Sequence, residues 1–503
     1  MTKLLTGAGG EFQLDKSAQS LIAYAEDGSL YISKSHAFNA HVMGFIGRLK
    51  HLKRNYRRQL VDMSVIAELY ANQAMQSGAP VKSNSQTQND AMELFKRAVD
   101  LRSSDIHVRV TSKKTIILFR IHGDLEFIRE DISVYGTQLC STIYQAMTDI
   151  SDPTFQINSR QDARISDRAK LPHNLDGIRV ATTPQVDGSV MVMRLLYNDT
   201  STSNSLTELG FLNIQDDDIG ELRELPTGIN IIAGSTGSGK STTLQRILGL
   251  IYHENDGKKH IITVEDPPEY PIFGSVQTPV SNAETDEERS TVFQNAIRSC
   301  MRLDPDILMI GEMRDPPSAK LAVQAAMTGH QVWSTLHANS AFGVFDRLID
   351  MGIPPALAFD HKIISGLLCQ RLLKKLCSVC KKPLSEVSSR YKPKDLARVT
   401  AVAIKANIYV IGDGCDKCRN TGTDGRTCVA EVVKTDSKMT SLLRSGDKEG
   451  AIDYWRKELC GISIIDSVII KVNAGEIDPF MAEKITGPLV ASSTSDRKVV
   501  SES

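Results

Sequence analysis

The chain has no run approaching the roughly 20 consecutive apolar residues that cross a bilayer as a helix. Its opening stretch, MTKLLTGAGGEFQLDKSAQS, has no apolar core of signal-peptide length. A cytoplasmic location is therefore expected, with any membrane role reached peripherally through partners. No sign of charge is in excess: 59 Lys and Arg against 60 Asp and Glu leave a formal net charge of -1. Aromatic residues are scarce, at 6% with two tryptophans. A surface built to track nucleic acid needs a basic balance interleaved with aromatics, and that pattern is missing. The nine cysteines are an odd count in a large chain, which argues against a disulfide framework. No repeat of solenoid type is visible.

Length and patterning are what the chain does have. At 503 residues it exceeds one ordinary core, and three or four domains of about 100–200 residues are expected. Hydrophobic residues make up 41% and charged residues 24%, a soluble globular balance. Residues 1–76 form a first unit, with a helix expected near 59–76. The polar, aperiodic segment 77–90 reads as a linker. Residues 91–197 read as a mixed α/β domain. It starts on a helix-like AMELFKRAVDLR and continues in strand-like runs at Ile106–Val110, Thr115–Ile121, Ile178–Thr183 and Val190–Leu196. A second linker, 198–205, leads to residues 206–490. There the apolar runs GINIIAG, HIITVED, DILMIGE and QVWSTLH alternate with helical stretches, the pattern of a parallel sheet covered by helices on both faces. Residues 491–503 are expected to be a disordered tail.

Residues 234–241 read GSTGSGKS, a full G-x-x-x-x-G-K-[ST] phosphate loop, preceded by the strand INIIA and followed by the helix TTLQRILGLIY. Glycines let successive N–H groups face one phosphate, and the helix N-terminus adds partial positive charge. Gly234, Ser235, Thr236, Gly237, Ser238, Gly239, Lys240, Ser241 and Thr242 are the candidate nucleotide-binding residues. Lys240 reaches the β- and γ-phosphates of ATP, and Ser241 offers an oxygen to Mg²⁺. Two further strands end in acids: Glu312 after DILMIG, and Glu265, Asp266 and Glu269 in ITVEDPPEY. Such groups beside a phosphate loop orient water or hold the metal, and strand C-termini are where open α/β sheets bind ligands. His330 and His337 flank the strand QVWSTL, and each alone reads more readily as structural.

Cys377 and Cys380, and Cys415 and Cys418, form two CxxC pairs. Two such pairs complete a tetrahedral site, so Zn²⁺ or an iron–sulfur cluster is favoured over four separate thiols; nothing else suggests redox work. Residues 377–428 are then a small metal-held insert. RLKHLKRNYRR, with Arg48, Lys50, Lys53, Arg54, Arg57 and Arg58, suits an anionic lipid surface or an acidic partner domain; a solvated helix face accounts for it equally well.

These residues together resemble the ATPases of type II secretion and type IV pilus assembly, over roughly residues 90–480. SDIHV, FRIHGDL, QDARI, RVATTP and VMRLL resemble the signature of the family's second N-terminal domain. SLTELGF resembles the entry into its motor domain. GSTGSGKSTTL, TVEDPPEY, IRSCMRLDPDILMIGEMRD and AAMTGHQVWSTLHANSA resemble its Walker A loop, acidic box, Walker B strand and histidine box, in that order. The resemblance implies a RecA-like motor in a homo-hexameric ring at the cytoplasmic face of the bacterial inner membrane. The ring would work on a membrane platform protein, with its N-terminal domain docked on the cytoplasmic domain of another membrane component. It implies Glu312 as the water-activating glutamate, with Glu265 and Asp266 supporting the γ-phosphate or Mg²⁺. It further implies His337 as the histidine-box residue near the nucleotide, and Arg179 and Arg194 as arginines reaching the nucleotide from the second N-terminal domain. A tetracysteine insert is common in the assembly motors and lacking in the retraction motors, which favours extension and zinc. His122 stands where the family usually has Asp, and Pro316 and Pro317 follow GEMRD; these departures resemble the type IVb pilus branch, of the toxin-coregulated and bundle-forming kind. The competing readings are a type II secretion ATPase, a nucleic-acid translocase or zinc-dependent binding module, and an inactive scaffold. Intact Lys240, Ser241 and Glu312 weigh against the last.

Overall fold

The computed structural model describes residues 4–7, 11, 12, 14, 16–19, 21–37, 39–63, 65, 66, 69, 70, 84–149, 154–197, 205–280 and 285–490. Eighteen strands form four sheets among them. The N-terminal sheet has the order β1 (Ile22–Tyr24), β2 (Ser29–Ser33), β3 (Arg57–Val61). β1 and β2 are antiparallel around the turn at Gly28, whose φ of 83° suits glycine. β2 and β3 are parallel, joined through the helix Ala40–His51. Phe12, Tyr24 and Phe45 pack edge to face beneath them.

Two expectations are corrected in this region. The helix placed near 59–76 does not begin there. Residues 57–61 are strand, because the Arg57 N–H donates to Gly28 O at 2.8 Å and the chain pairs along β2. Helical residues are described only from Met63 on, and 71–76 lie outside the described residues. The basic stretch is thus no single helix face, since Arg57 and Arg58 are exposed on β3. The linker placed at 77–90 is helical in its second half, within Asn84–Asp100. Buried Thr87, Ala91, Leu94, Phe95 and Ala98 continue one stripe at three- and four-residue spacing, so the apolar face reaches back into the polar segment. The rest of that linker, residues 198–204 of the second one, and the expected tail all lie outside the described residues.

The second N-terminal unit is a six-stranded antiparallel sheet: β4 (Ser103–Val110), β5 (Lys114–Ile121), β6 (Asp124–Ile132), β7 (Gln161–Ile165), β8 (Leu175–Gln185) and β9 (Gly188–Tyr197). Their spatial order is β6-β5-β4-β9-β8-β7. Asn84–Asp100 and Ser133–Thr142 cover one face through a core that includes Phe95, Phe119, Leu139 and Met193. His122 and Gly123 turn β5 into β6 with φ of 50° and 97°, the left-handed pair that a two-residue hairpin uses. His122 Nδ1 also accepts from the Gly425 N–H at 3.3 Å, joining this unit to the next.

The large sheet holds β10 (Gly228–Ala233), β11 (Ile261–Glu265), β12 (Ser275–Pro279), β13 (Ile307–Ile310), β14 (Gln331–Leu336), β15 (Ile364–Leu376) and β18 (Thr423–Lys434), in the order β12-β11-β13-β14-β10-β15-β18. All neighbours are parallel except β15 and β18. Alternation along β10 shows why both faces need cover. Ile229, Ile231 and Ala233 enter one core with the helices Pro316–Met327 and Gly343–Asp350, while Ile232 enters the other with Lys240–Glu254 and Asn213–Glu224. Pro316 and Pro317 open their helix behind the N-cap Asp315, where a missing N–H costs nothing. Between β15 and β18 the chain makes the short pair β16 (Lys382–Pro383) and β17 (Tyr409–Val410).

Candidate nucleotide site and four-cysteine centre

Because β10, β11, β13 and β14 are adjacent and parallel, their C-terminal ends share one edge. That edge collects the phosphate loop, Glu265, Glu312 and His337. Gly234, Gly237 and Gly239 hold φ of 151°, 76° and 87°. At Gly234 a Cβ would lie 2.7 Å from Gln370 O, so only glycine fits. Gly239 caps the helix Lys240–Glu254. Lys240 Nζ donates to the Gly234 and Ser235 carbonyls at 2.9 and 3.2 Å. Burial pushes its ammonium pKa down, and the Glu312 and Glu269 carboxylates oppose that. Gln370 on β15, a residue that no motif singled out, braces the loop through Nε2 to Ser238 O at 2.8 Å. Among the described residues, Ser238 Oγ is buried with no hydrogen-bond partner. An orphaned hydroxyl inside a ring of left-handed glycines at a helix N-terminus fits a phosphate group. Ser235, Thr236 and Ser241 are exposed around it, and Thr242 hydrogen-bonds Tyr270.

The two strand-end acids differ. Glu312 is partly open to solvent. His337 Nε2 lies 2.9 Å from one oxygen, and Arg314 Nε donates to the other at 2.7 Å. Thr335 holds both flanks of Glu312: its Oγ1 donates to Gly311 O at 2.7 Å, and its carbonyl accepts from the Met313 N–H at 3.0 Å. Glu265 is buried, and Thr263 Oγ1 and Gln277 Nε2 donate to its Oε1 at 2.6 and 2.8 Å. Burial pushes the Glu265 carboxyl pKa up. Asp266 pairs with Arg314 at 3.3 Å and Arg289 at 4.0 Å. His330 sits at the opposite end of β14, its Nδ1 3.0 Å from Ala325 O, and belongs to the helix–strand turn.

Arg194 reaches this edge from the second N-terminal unit, 3.7 Å from Glu269 and 3.2 Å from Asp105. Arg179 is its cross-strand neighbour on β8, but among the described residues it pairs with no carboxylate. Arg314 was legible only as part of GEMRD. Gln370 and Arg371 carry no sequence signal, since β15 reads as a generic amphipathic run.

Cys377, Cys380, Cys415 and Cys418 come together with every sulfur within 4.8 Å of the others. Cys377–Cys415, Cys380–Cys418 and Cys415–Cys418 are each 3.7 Å apart. A zinc–sulfur bond of about 2.3 Å gives a tetrahedron edge of about 3.8 Å, so the four thiols fit a tetrahedral ion. The Cys415 and Gly422 N–H groups each donate to Cys418 Sγ at 3.2 Å, an arrangement that favours a thiolate.

A parallel sheet with this loop on β10 and acids closing β11 and β13 defines a P-loop ATPase of RecA-like architecture. Residues 81–480 match the family model described as Type II/IV secretion system protein. Type II secretion system protein E of Pseudomonas aeruginosa is 35% identical over 386 residues, covering 74% of this chain and 72% of that one. Type II secretion system ATPase E of Vibrio cholerae is 36% identical over 357 residues, 71% of this chain and 67% of that one. The chain therefore belongs to the type II/IV secretion ATPase family. Solved structures of related ATPases share its fold. The pilus retraction motor PilT with bound ADP has a TM-score of 0.53 at 22% identity, covering 78% of this chain and 96% of that one. The Legionella pneumophila ATPase DotB has a TM-score of 0.56 at 20% identity, covering 81% and 97%. Among the described residues no helix is long and apolar enough to cross a membrane.

Proposed function

We propose that this chain hydrolyses ATP and couples turnover to extension of a type IV pilus, as a homo-hexamer at the cytoplasmic face of the inner membrane. The observation that carries the hydrolytic part is Glu312, held between His337 and Arg314 one strand away from the β14–β10 pair that ends in the phosphate loop. A solvent-accessible carboxylate there takes the proton of the attacking water. Lys240 and the loop N–H groups bind the phosphates, with Ser241 placed for Mg²⁺. Mg²⁺ supplies neutralisation of phosphate charge when bound. Glu265, already engaged by Thr263 and Gln277, shapes the acidic loop through Gln277, which also donates to Tyr270 O at 2.9 Å. Arg194 and Arg179 approach the nucleotide from the second N-terminal sheet. The four-cysteine centre, an insert that assembly motors of the family often carry and retraction motors lack, supports extension over retraction and zinc as the ion it would hold.

The N-terminal unit supports docking on a membrane component through acidic groups. From Gly28 to Val61 the chain has no Asp or Glu, and β3 is an exposed edge strand. A second reading, a type II secretion ATPase, is favoured by the names of the relatives at 35–36% identity. A deletion strain complemented with wild type or Glu312→Gln separates them. The pilus reading expects surface filaments to vanish and return only with wild type. Normal filaments with blocked exoprotein release would sink it in favour of the second. Purified Glu312→Gln should bind a fluorescent ATP analogue and barely turn over. Wild-type turnover would move the base to Glu265.

A further inference from the structure

The segment after β14 carries His337 to Glu312, and its far side is held from one face of the β15–β18 pair. Cys369 and Glu431 are cross-strand partners on that face, with Arg371 two residues further along. Cys369 Sγ lies 3.9 Å from Ala338 O. Arg371 Nη2 donates to Asn339 O at 3.0 Å. Glu431 Oε1 accepts from the Ala341 N–H. Burial pushes the Glu431 carboxyl pKa up, and the Ala341 backbone, Arg371 and the start of the helix Ile464–Asn473 oppose that. Glu431 is 8% exposed, between apolar Ala430 and Val432. A carboxylate in such surroundings is costly unless its acceptors are needed. What it does there is to accept from the Ala341 backbone, across the sheet from the strand that carries Cys369 and Arg371.

We propose that Glu431 is a positioning residue for hydrolysis: by holding Ala341 it fixes the 338–341 segment, and through it the contact of His337 with Glu312. The proposal rests on the reading of Glu312 and His337 given above. Glutamine keeps the shape and an acceptor oxygen but loses the charge that strengthens the Ala341 N–H bond, so Glu431→Gln weakens that hold without removing the side chain. The nucleotide loop is braced by Gln370 on the opposite face of β15, a contact that the Glu431–Ala341 hydrogen bond does not share.

The test uses the full chain as Glu431→Gln, Arg371→Met, His337→Ala and the double variant Glu431→Gln/His337→Ala. Turnover and hydrogen exchange over 338–341 are read together. Glu431→Gln should lower kcat about tenfold, the loss of one charge-assisted hydrogen bond, while KM for ATP moves by less than about twofold. Exchange at 338–341 should rise. In the His337→Ala background, Glu431→Gln should cost nearly nothing more, because both changes remove one contact. Arg371→Met should behave like Glu431→Gln in a weaker form, and it serves alone if Glu431→Gln does not fold. Multiplicative losses in the double variant would overturn the proposal, as would an unchanged kcat with unchanged exchange. Wild-type kcat in His337→Ala, with faster exchange in Glu431→Gln, would instead overturn the reading of His337 on which the positioning role depends.

Discussion

The two large sheets place function in opposite ways. In the parallel sheet every strand from β12 to β15 points the same way, so strand ends accumulate on one edge. The loop at Gly234, Glu265, Glu312 and His337 meet there although some hundred positions separate the first from the last. In the antiparallel sheet no edge collects ends, and the polar groups instead line up across strands. Arg164, Arg179, Arg194, Asp105 and Arg120 stand in register over β7, β8, β9, β4 and β5. Cross-strand partners share a face, so one carboxylate stands in a row of four guanidinium groups. Asp105 answers two of them, Arg194 at 3.2 Å and Arg120 at 3.6 Å. Candidate site residues in the parallel sheet are therefore written as motifs at strand ends, and polar rows in the antiparallel sheet as register.

The sharpest way to break the comparison is at the parallel edge. Lys240→Ala removes the only lysine in the phosphate loop, and ATP turnover should fall by at least about 100-fold. Turnover above that level would mean that the edge does not carry hydrolysis. The antiparallel row should respond more mildly. Arg194→Ala should cost about tenfold in kcat/KM for ATP, and Arg179→Ala less, because only Arg194 reaches Glu269 in this arrangement. Specific activity should also rise with protein concentration as rings assemble. Equal losses at both arginines, with activity flat across concentration, would show that the row does not act at a nucleotide shared between domains.

The contrast also explains what could be read from sequence. The phosphate loop, Glu312 and the CxxC pairs are local words, and their patterns are legible without a fold. β4, β5, β8 and β9 were legible from alternation. β6 was not, because Asp124–Ile132 is a charged edge strand with little to bury. Nor was the start of Asn84–Asp100, where a polar stretch joins a helix only through the buried Thr87 and the tertiary core. Gln370, Arg371 and Glu431 were invisible for a deeper reason. Their role comes from the β15–β18 register, which no spacing in the chain expresses.

The four-cysteine centre lies at the far end of that same strand pair, since β15 runs into Cys377 and β18 begins soon after Cys418. Elemental analysis should find about one zinc per chain. Cys415→Ser should lose it and expose residues 377–428 to protease, while ATP binding changes less than about threefold, because Lys240 and Gln370 hold the loop independently. Zinc-free protein with a protease-resistant 377–428 segment would remove the metal and the argument for extension that rests on it.

The smallest effect separates the two acids of the parallel edge. Burial raises the Glu265 pKa above the ordinary carboxylate range, so its ionised form is penalised in the folded state. That penalty is absent below the unfolded pKa, near 4.3, and grows as pH rises through the folded value. Glutamine has no ionised form and keeps an oxygen for Thr263 and Gln277. Glu265→Gln should therefore gain stability relative to wild type as pH rises. Its Tm should exceed that of wild type by about 1–3 °C at pH 8, and the difference should shrink toward zero at pH 4.5. Glu312→Gln, which removes a half-open carboxylate from His337 and Arg314, should show no such gain. If the Tm difference for Glu265→Gln is flat or negative across this range, Glu265 is ionised at its site. It would then rejoin Glu312 as a candidate for the water-activating base.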